Sequence, residues 1–500
     1  MKWITKCMYT IHRILGTLLS VMFLVWFLSA FVMMYHGFPR VRERQLMLRQ
    51  ELLSEGQAIN TLLPIDSVMA QIPSQEKVKS VSLKREKGRT VFNIATSEST
   101  YTLFADSACS STDTVYDINR TVKTWCEAPV ARVDTLTKLD QWIPFGSMKK
   151  HLPVYKFHFA DEEKHQLYIS SKTEEVIQFT DKDQRLWAWL GTIPHWVYFT
   201  WLRQDVKLWN QVVVWMSGIG CIMVIAGMWV AVDVWRKTHR GKKHRFSPYK
   251  KKWYHRHYVS GIFFGIFALT FAFSGMMSLE DVPSWISHPT LSVKPATIMQ
   301  ANAPLPTDIP LDYRVALASA PETKQMEWSN FREHPFYTMK GDNSWVSYID
   351  AAGNEVQPLD LSRAEVTAAV QNVYEAAGLS QEVTIETEEL DHFELHYRDM
   401  SRMYRGIPLL PVWKVTANDK DHSVYYVNPK TGSLRYVNTT ARWEYWMYTA
   451  LHRLRIPGLN SNVVLRKTLL WILLLGGTVV SLTGVVLGVN YILRKLRIKR

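Results

Sequence analysis

Four histidines stand where an imidazole can do more than anchor a helix. His12 opens HRILG (12–16) and His257 opens HYVSG (257–261), each at the head of a long apolar run with a glycine four residues on. Residues four apart share a helix face, so Gly16 and Gly261 leave the face beside each ring bare. Gly265 repeats the device one turn further. His195 and His452 form a second couple, each preceding another apolar run. An imidazole beside a face without side chains suits a flat macrocycle, because haem iron takes axial histidine ligands and facing helices of a bundle can mount them. The pattern therefore points to two bis-histidine haems, one between His12 and His257 and one between His195 and His452. A lone histidine at an interface is more often an anchor or a cap. Recurrence in both halves of the chain separates this set from that reading.

Four uncharged runs must position these rings: Ile14 to Tyr35, Leu208 to Val232, Tyr258 to Leu279 and Thr468 to Leu493. Each exceeds the roughly 20 helical residues that cross a bilayer core, where a helix satisfies its own backbone. The first run is longer than the apolar core of a cleaved leader and lacks a small-x-small site, so it reads as a retained helix.

The net charge of +14 is topological. Ten Lys/Arg and no acid fall in 236–256, five basic residues in the tail RKLRIKR and three in the first 13 positions. Removing these 18 from 59 leaves 41 basic against 45 acidic residues, which excludes a nucleic-acid binder in favour of membrane lipid as the partner of the basic loops. By the positive-inside rule, both termini and the middle loop are cytoplasmic and the two long segments lie outside. The expected division is a first helix over 1–37, an external domain over 38–207, a second helix over 208–235 and a basic loop over 236–256. A third helix follows over 257–279, then a second external domain over 280–467, and a fourth helix with basic tail over 468–500. His12 and His257 then lie at cytoplasmic ends, and His195 and His452 on the outer side.

The outer pair carries a rival. As one unbroken helix, His195 would stand 13 residues, about 20 Å, above Leu208. Pro457 and Gly458 argue for a break after His452, and the aromatic segment HWVYFTWL lying along the interface would bring His195 back. His36 is the alternative outer ligand, 24 residues and about 36 Å beyond His12.

The halves match at an offset near 257. RLWAWLGTIPH (185–195) aligns with RWEYWMYTALH (442–452), and Gly220 and Gly227 fall on Gly477 and Gly484. Those glycines read first as helix-packing positions. LPVYKF (152–157) matches LPVWKV (410–415), and LYISSKTEEVIQF matches YYVNPKTGSLRYV. The fold class is thus membrane α-helical plus α+β, in two tandem repeats of helix, external domain, helix. VYYVNPKTGSLRYV predicts a hairpin. The segment 360–379 predicts an amphipathic helix capped by Ser362, with Glu365 completing the box and Gly378 the stop.

Cys109 and Cys126 are a disulfide candidate in an oxidising compartment, whereas Cys7 and Cys221 read as packing groups. No CxxCH is present, which argues against covalently attached haem. His392 and His396 in DHFELH would share a strand face near Glu394 and Asp391, which reads as an exposed polar strand ahead of a metal or substrate site. His244 and His255 belong to the basic loop. No Walker, HExxH, GxSxG or strand-linked GxGxxG motif occurs, so reducing equivalents must come from an outside donor.

The order of an H-x3-G helix, an external domain with LPV-[YW]-K and a KT hairpin, then a histidine before a Gly-rich helix, twice over, resembles the bacterial PepSY-associated transmembrane proteins. It is most similar to the iron-regulated inner-membrane branch that includes ferric-siderophore reductases. The resemblance covers nearly the whole chain. It implies four helices in the cytoplasmic (inner) membrane, two periplasmic PepSY-like domains and two b-type haems on His12, His257, His195 and His452. Electrons from a quinol or cytoplasmic reductant would pass to a ferric siderophore or other iron chelate. Reduction to Fe(II) weakens binding by hard oxygen-rich chelators. The first half departs from the pattern at its hairpin, SSKTEEV against NPKTGSL, where the turn glycine is missing. The other classes are a membrane-anchored PepSY binding or regulatory protein, and an iron-chelate permease. The apolar runs carry no ionisable group at mid-depth, which disfavours a coupled permease.

Overall fold

The computed structural model describes residues 2–55, 58–86, 88–106, 118–239, 246–291, 293–397 and 409–498. Four helices are long and apolar enough to cross a membrane: α1 (Lys2–Met33), α2 (Val206–His239), α3 (Lys252–Met277) and α4 (Val463–Ile498). Each extends beyond its uncharged run, since Lys and Arg are good helix formers whose long stems carry the charge to a polar phase. His12 therefore lies ten residues, about 15 Å, inside α1, and His257 five residues, about 8 Å, inside α3.

The chain divides into two compact units, which cut across the boundaries 38–207 and 280–467. One comprises Met1–Arg40, Cys126–Ile286 and Trp443–Arg500; the other comprises Val41–Trp125 and Ser287–Arg442. In the first, α1 packs against α2 and α4, and α3 packs against the same two helices. Phe23, Phe27, Met223, Ala268 and Leu474 fill the centre. Leu18, Trp215 and Phe263 point outward and exposed, as a helix that is apolar all round requires of a lipid-facing side. A Cβ at Gly220 would come within 2.8 Å of the Phe23 ring, and one at Gly477 within 2.3 Å of the Phe27 ring, so these glycines let α1 approach both partners.

This unit also holds an antiparallel sheet in the order Val130–Leu136, Val154–Phe159, Gln166–Ser170, Val176–Thr180. Asp181 then caps the helix Lys182–Leu190, its side chain accepting from the Gln184 amide at 2.7 Å. Val154, Tyr168, Ala188, Ile193 and Trp209 share one buried cluster, which ties the sheet to the start of α2.

The second unit contains a seven-stranded antiparallel sheet. Its order is Gln357–Pro358, Val346–Asp350, His334–Lys340, Gln325–Phe331, Val78–Glu86, Arg89–Thr96, Thr100–Phe104. Strands of both long segments between the membrane helices thus pair, with Ser82 opposite Glu327 and Leu83 opposite Met326. Alternation marks a strand and its buried face without naming its neighbour, so this pairing was not legible from pattern alone.

A four-stranded antiparallel sheet, Ile385–Leu390, Val412–Ala417, Val424–Val427 and Leu434–Val437, lies beside the helix Arg363–Ala376. The predicted cap is present: Ser362 Oγ accepts from the Glu365 amide at 3.2 Å while Glu365 Oε2 accepts from the Ser362 amide at 2.7 Å. Val366, Ala369, Val370, Val373 and Tyr374 form its buried stripe, packed with Val415, Tyr425 and Val427 of the sheet. The predicted hairpin pairs Val424 with Val437 through Val427 with Leu434. Gly432 turns it with φ 65°, and Glu174 takes φ 58° at the matching point of the first-half hairpin.

The strand expected over DHFELH ends earlier, at Leu390. His392 there bonds its neighbour Asp391 at 2.9 Å, while Glu394 accepts from Lys414 at 2.8 Å and from Tyr426. Those carboxylate contacts hold 391–397 in bends rather than in a ladder.

Two histidine pairs in the helical unit

His12 on α1 and His257 on α3 face one another with ring centroids 6.0 Å apart and planes tilted by 31°. Two imidazoles sharing one metal ion have centroids about 6 Å apart, from two metal–nitrogen bonds of about 2.0 Å and about 1.1 Å from each nitrogen to its ring centre. The hydrogen bonds fix which nitrogen is available. His12 Nδ1 lies 3.1 Å from the carbonyl oxygen of Met223, which can only accept. His257 Nδ1 lies 2.9 Å from Thr483 Oγ1, whose own proton goes to the carbonyls of Val479 and Val480. Both rings therefore carry their proton on Nδ1 and keep the Nε2 lone pair, the arrangement that orients a histidine ligand.

Glycines make room for these rings. A Cβ at Gly227 would sit 2.5 Å from His12 Cε1, and one at Gly484 would sit 3.6 Å from His257 Cε1. The matched glycine pairs thus divide by depth: Gly220 and Gly477 receive phenylalanines, whereas Gly227 and Gly484 face histidines. A Cβ at Gly16 or Gly261 would meet nothing within 4 Å, and both residues line a cavity of about 340 Å³ that also contains His12, His257 and Gly265. Tyr258 lines the same cavity, and its buried hydroxyl has no partner among the described residues. A flat apolar group with polar edge substituents fits these features.

The second pair is His195 and His452, with centroids 6.2 Å apart and planes at 68°. The helix Thr192–Trp196 ends at Val197, whose φ of 54° turns the chain. The helix Leu451–Arg453 ends at Leu454 with φ 47°, also two residues after its histidine. These breaks return both rings to the bundle. His195 Nδ1 lies 3.1 Å from the Trp26 carbonyl and 3.1 Å from Ser29 Oγ on α1. His452 Nδ1 lies 3.0 Å from Ser274 Oγ on α3, whose proton goes to the Thr270 carbonyl. Again Nδ1 carries the proton and Nε2 keeps its lone pair. Burial holds the His195 imidazole down to about 4, and burial with help from His195 and Arg453 holds His452 down to about 3, so both rings stay neutral.

These rings line a larger cavity, about 640 Å³. His36 lines it too, but its ring is stacked on Trp187 at 4.4 Å and 8°. Ser29 follows His12 by 17 residues on α1, which sets the two pairs about 25 Å apart in depth. The His12 pair lies toward the chain termini, and the two cavities share Phe23 and Ala268 as a common wall. Their charge differs. Among the described residues Arg13 is the one cation lining the His12 cavity, against Arg453, Arg455, Arg466 and Lys467 lining the His195 cavity, and no carboxylate lines either.

Sequence reasoning missed Ser29, Ser274 and Thr483, the partners of Nδ1. One signal was present: Ser29 and Ser274 follow His12 and His257 by the same 17 residues. Elsewhere, Cys126, Asp161 and His165 bring three donor atoms within 4.8 Å of one another, with His165 Nδ1 bonded to Asp161 Oδ2 at 2.6 Å. Cys109 and His244 lie outside the described residues, so the candidate disulfide does too. His255 lies in the first turn of α3, three residues after Lys252. No protein-family model matches the chain, and no curated protein matches it.

Proposed function

We propose that this chain is a di-haem b electron-transfer protein of the bacterial inner membrane, related to the PepSY-associated transmembrane proteins, that reduces a ferric siderophore or other iron chelate on the periplasmic side. The observation that carries the reading is the recurrence of one ligand geometry at two depths: opposed imidazoles about 6 Å apart, each with Nδ1 tied to a neighbouring helix and each ring lining a cavity. His12 and His257 would hold the inner haem, and His195 and His452 the outer. Bound there, the iron porphyrins supply one-electron exchange at two levels of the bilayer.

The chain's own residues do the rest. Met223, Thr483, Trp26 and Ser274 orient the four rings, Gly227 and Gly484 admit them, and Phe23 with Ala268 keeps the two cavities apart. One electron, drawn from a quinol or a cytoplasmic reductant, converts a ferric chelate to the ferrous form, which hard oxygen ligands release. The matched breaks at Val197 and Leu454 support an origin by tandem duplication, and the ten Lys/Arg of 236–256 support a cytoplasmic loop and termini. A binding or regulatory anchor has no use for two sets of satisfied Nδ1 and open Nε2 atoms.

A reduced-minus-oxidised absorption spectrum of the purified protein, with haem counted per chain, tests this. Two low-spin b haems per chain are expected. Protein without haem, purified from haem-replete cells, would refute it.

A further inference from the structure

The two cavities hold histidine pairs of nearly equal separation, so each pair can grip a metal centre of the same kind. Yet the outer cavity is nearly twice as large, 640 against 340 Å³, and has four cations in its lining against one. A porphyrin brings two carboxylates. In the inner cavity Arg13 and the unpartnered hydroxyl of Tyr258 would be available to them. The outer cavity has space and positive charge beyond that need.

Two of the cations are held in place. Arg453 Nη2 donates to the Tyr448 hydroxyl at 2.9 Å and its guanidinium lies 5.0 Å over the same ring, which is itself 5.4 Å from His452. Lys467 Nζ lies 5.4 Å over Tyr35, whose hydroxyl accepts from Trp471 Nε1 at 3.0 Å. Arg466 and Lys467 occupy the first turns of α4, where the helix dipole repels cations and favours anions. Among the described residues no carboxylate pairs with Arg453, Arg466 or Lys467. Arg453 and Lys467 are exposed and Arg466 is half-buried, so an anion entering the cavity meets three cations that no described carboxylate neutralises.

We propose that the outer cavity takes, beside the group between His195 and His452, a second ligand: an iron chelate bearing several negative charges, bound by Arg453, Arg466 and Lys467. This rests on the di-haem reading and names the class of chelate that the outer end selects. The same cations could serve the porphyrin's own carboxylates or lipid phosphate, and the test separates these sources.

The haem-loaded full-length protein is placed in nanodiscs of phosphatidylcholine, and binding of radiolabelled ferric citrate and of a neutral ferric hydroxamate is measured by equilibrium dialysis. Ferric citrate should bind more tightly than the hydroxamate, should weaken as salt is added, and should lose about tenfold or more in affinity in the double variant Arg466→Gln/Lys467→Gln. Arg453→Gln, outside α4, should act in the same direction. Haem content should stay at two per chain in every variant. If the double variant instead loses the outer haem, the cations anchor porphyrin carboxylates and the inference falls. If a two-haem protein binds ferric citrate equally well with and without the cations, they face lipid or solvent and the inference falls alone. A wild-type protein without haem defeats the di-haem reading and this inference with it.

Discussion

The inner and outer histidine pairs agree in what a metal would feel and differ in almost everything around it. Both present neutral imidazoles about 6 Å apart with Nδ1 engaged. The inner pair stands on two continuous helices, and its cavity is small, rich in tyrosine and nearly uncharged. The outer rings come from short helices that end in left-handed residues, and their cavity is large and basic. Ligand geometry is thus a local device of histidine, hydrogen-bond partner and facing glycine, whereas cavity size and charge come from the flanking elements.

Removing one ligand should break the comparison most sharply. His257→Ala is expected to abolish the inner haem and spare the outer, and His452→Ala to do the reverse, each lowering haem from about two to about one per chain as read by the haemochrome spectrum. Loss of both haems from either variant would mean that the sites are not independent. Crowding a ring should rank next. A leucine at Gly227 must push aside His12, since even a Cβ there lies 2.5 Å from the ring, so the inner haem should be lost selectively. Alanine at Gly275, whose Cβ would sit 3.7 Å from His452, should be tolerated with both haems retained.

Smaller effects should follow from the Nδ1 partners. Thr483→Val for the inner pair and Ser274→Ala for the outer should each weaken haem retention about tenfold at one site, measured by transfer to apomyoglobin. Equal losses at both sites from one change would show coupling through the shared wall at Phe23. The hairpins offer the mildest contrast. Glu174→Gly should stabilise the first-half hairpin by about 1 kcal/mol by relieving a left-handed residue, and Gly432→Ala should destabilise the second by at least as much, both read by thermal unfolding of the full chain.

The sequence revealed the devices that are local. Four apolar runs, the Ser362 cap and the 424–437 hairpin each rest on residues within one or two turns of each other, and all three are found. The histidine pairing followed from topology, because His12 and His257 had to lie at one end. What pattern could not supply was long-range choice. Val81 and Leu83 alternate as a strand should, but nothing in them names Met326 as a neighbour. Val197 and Leu454 are not turn residues by type, so the two breaks that lower His195 and His452 into the bundle are tertiary effects. Ser29 and Ser274 looked like ordinary small residues until their hydroxyls were found against imidazoles.

Electron paramagnetic resonance of the oxidised protein tests the central claim most directly, because the tilt between two axial imidazole planes sets how far the iron d orbitals split. Two low-spin ferric signals of different shape are expected: a rhombic one from the inner pair at 31°, absent in His257→Ala, and a strongly anisotropic one from the outer pair at 68°, absent in His452→Ala. A haem-containing protein that gave only high-spin ferric iron, or whose low-spin signals survived both substitutions, would contradict it.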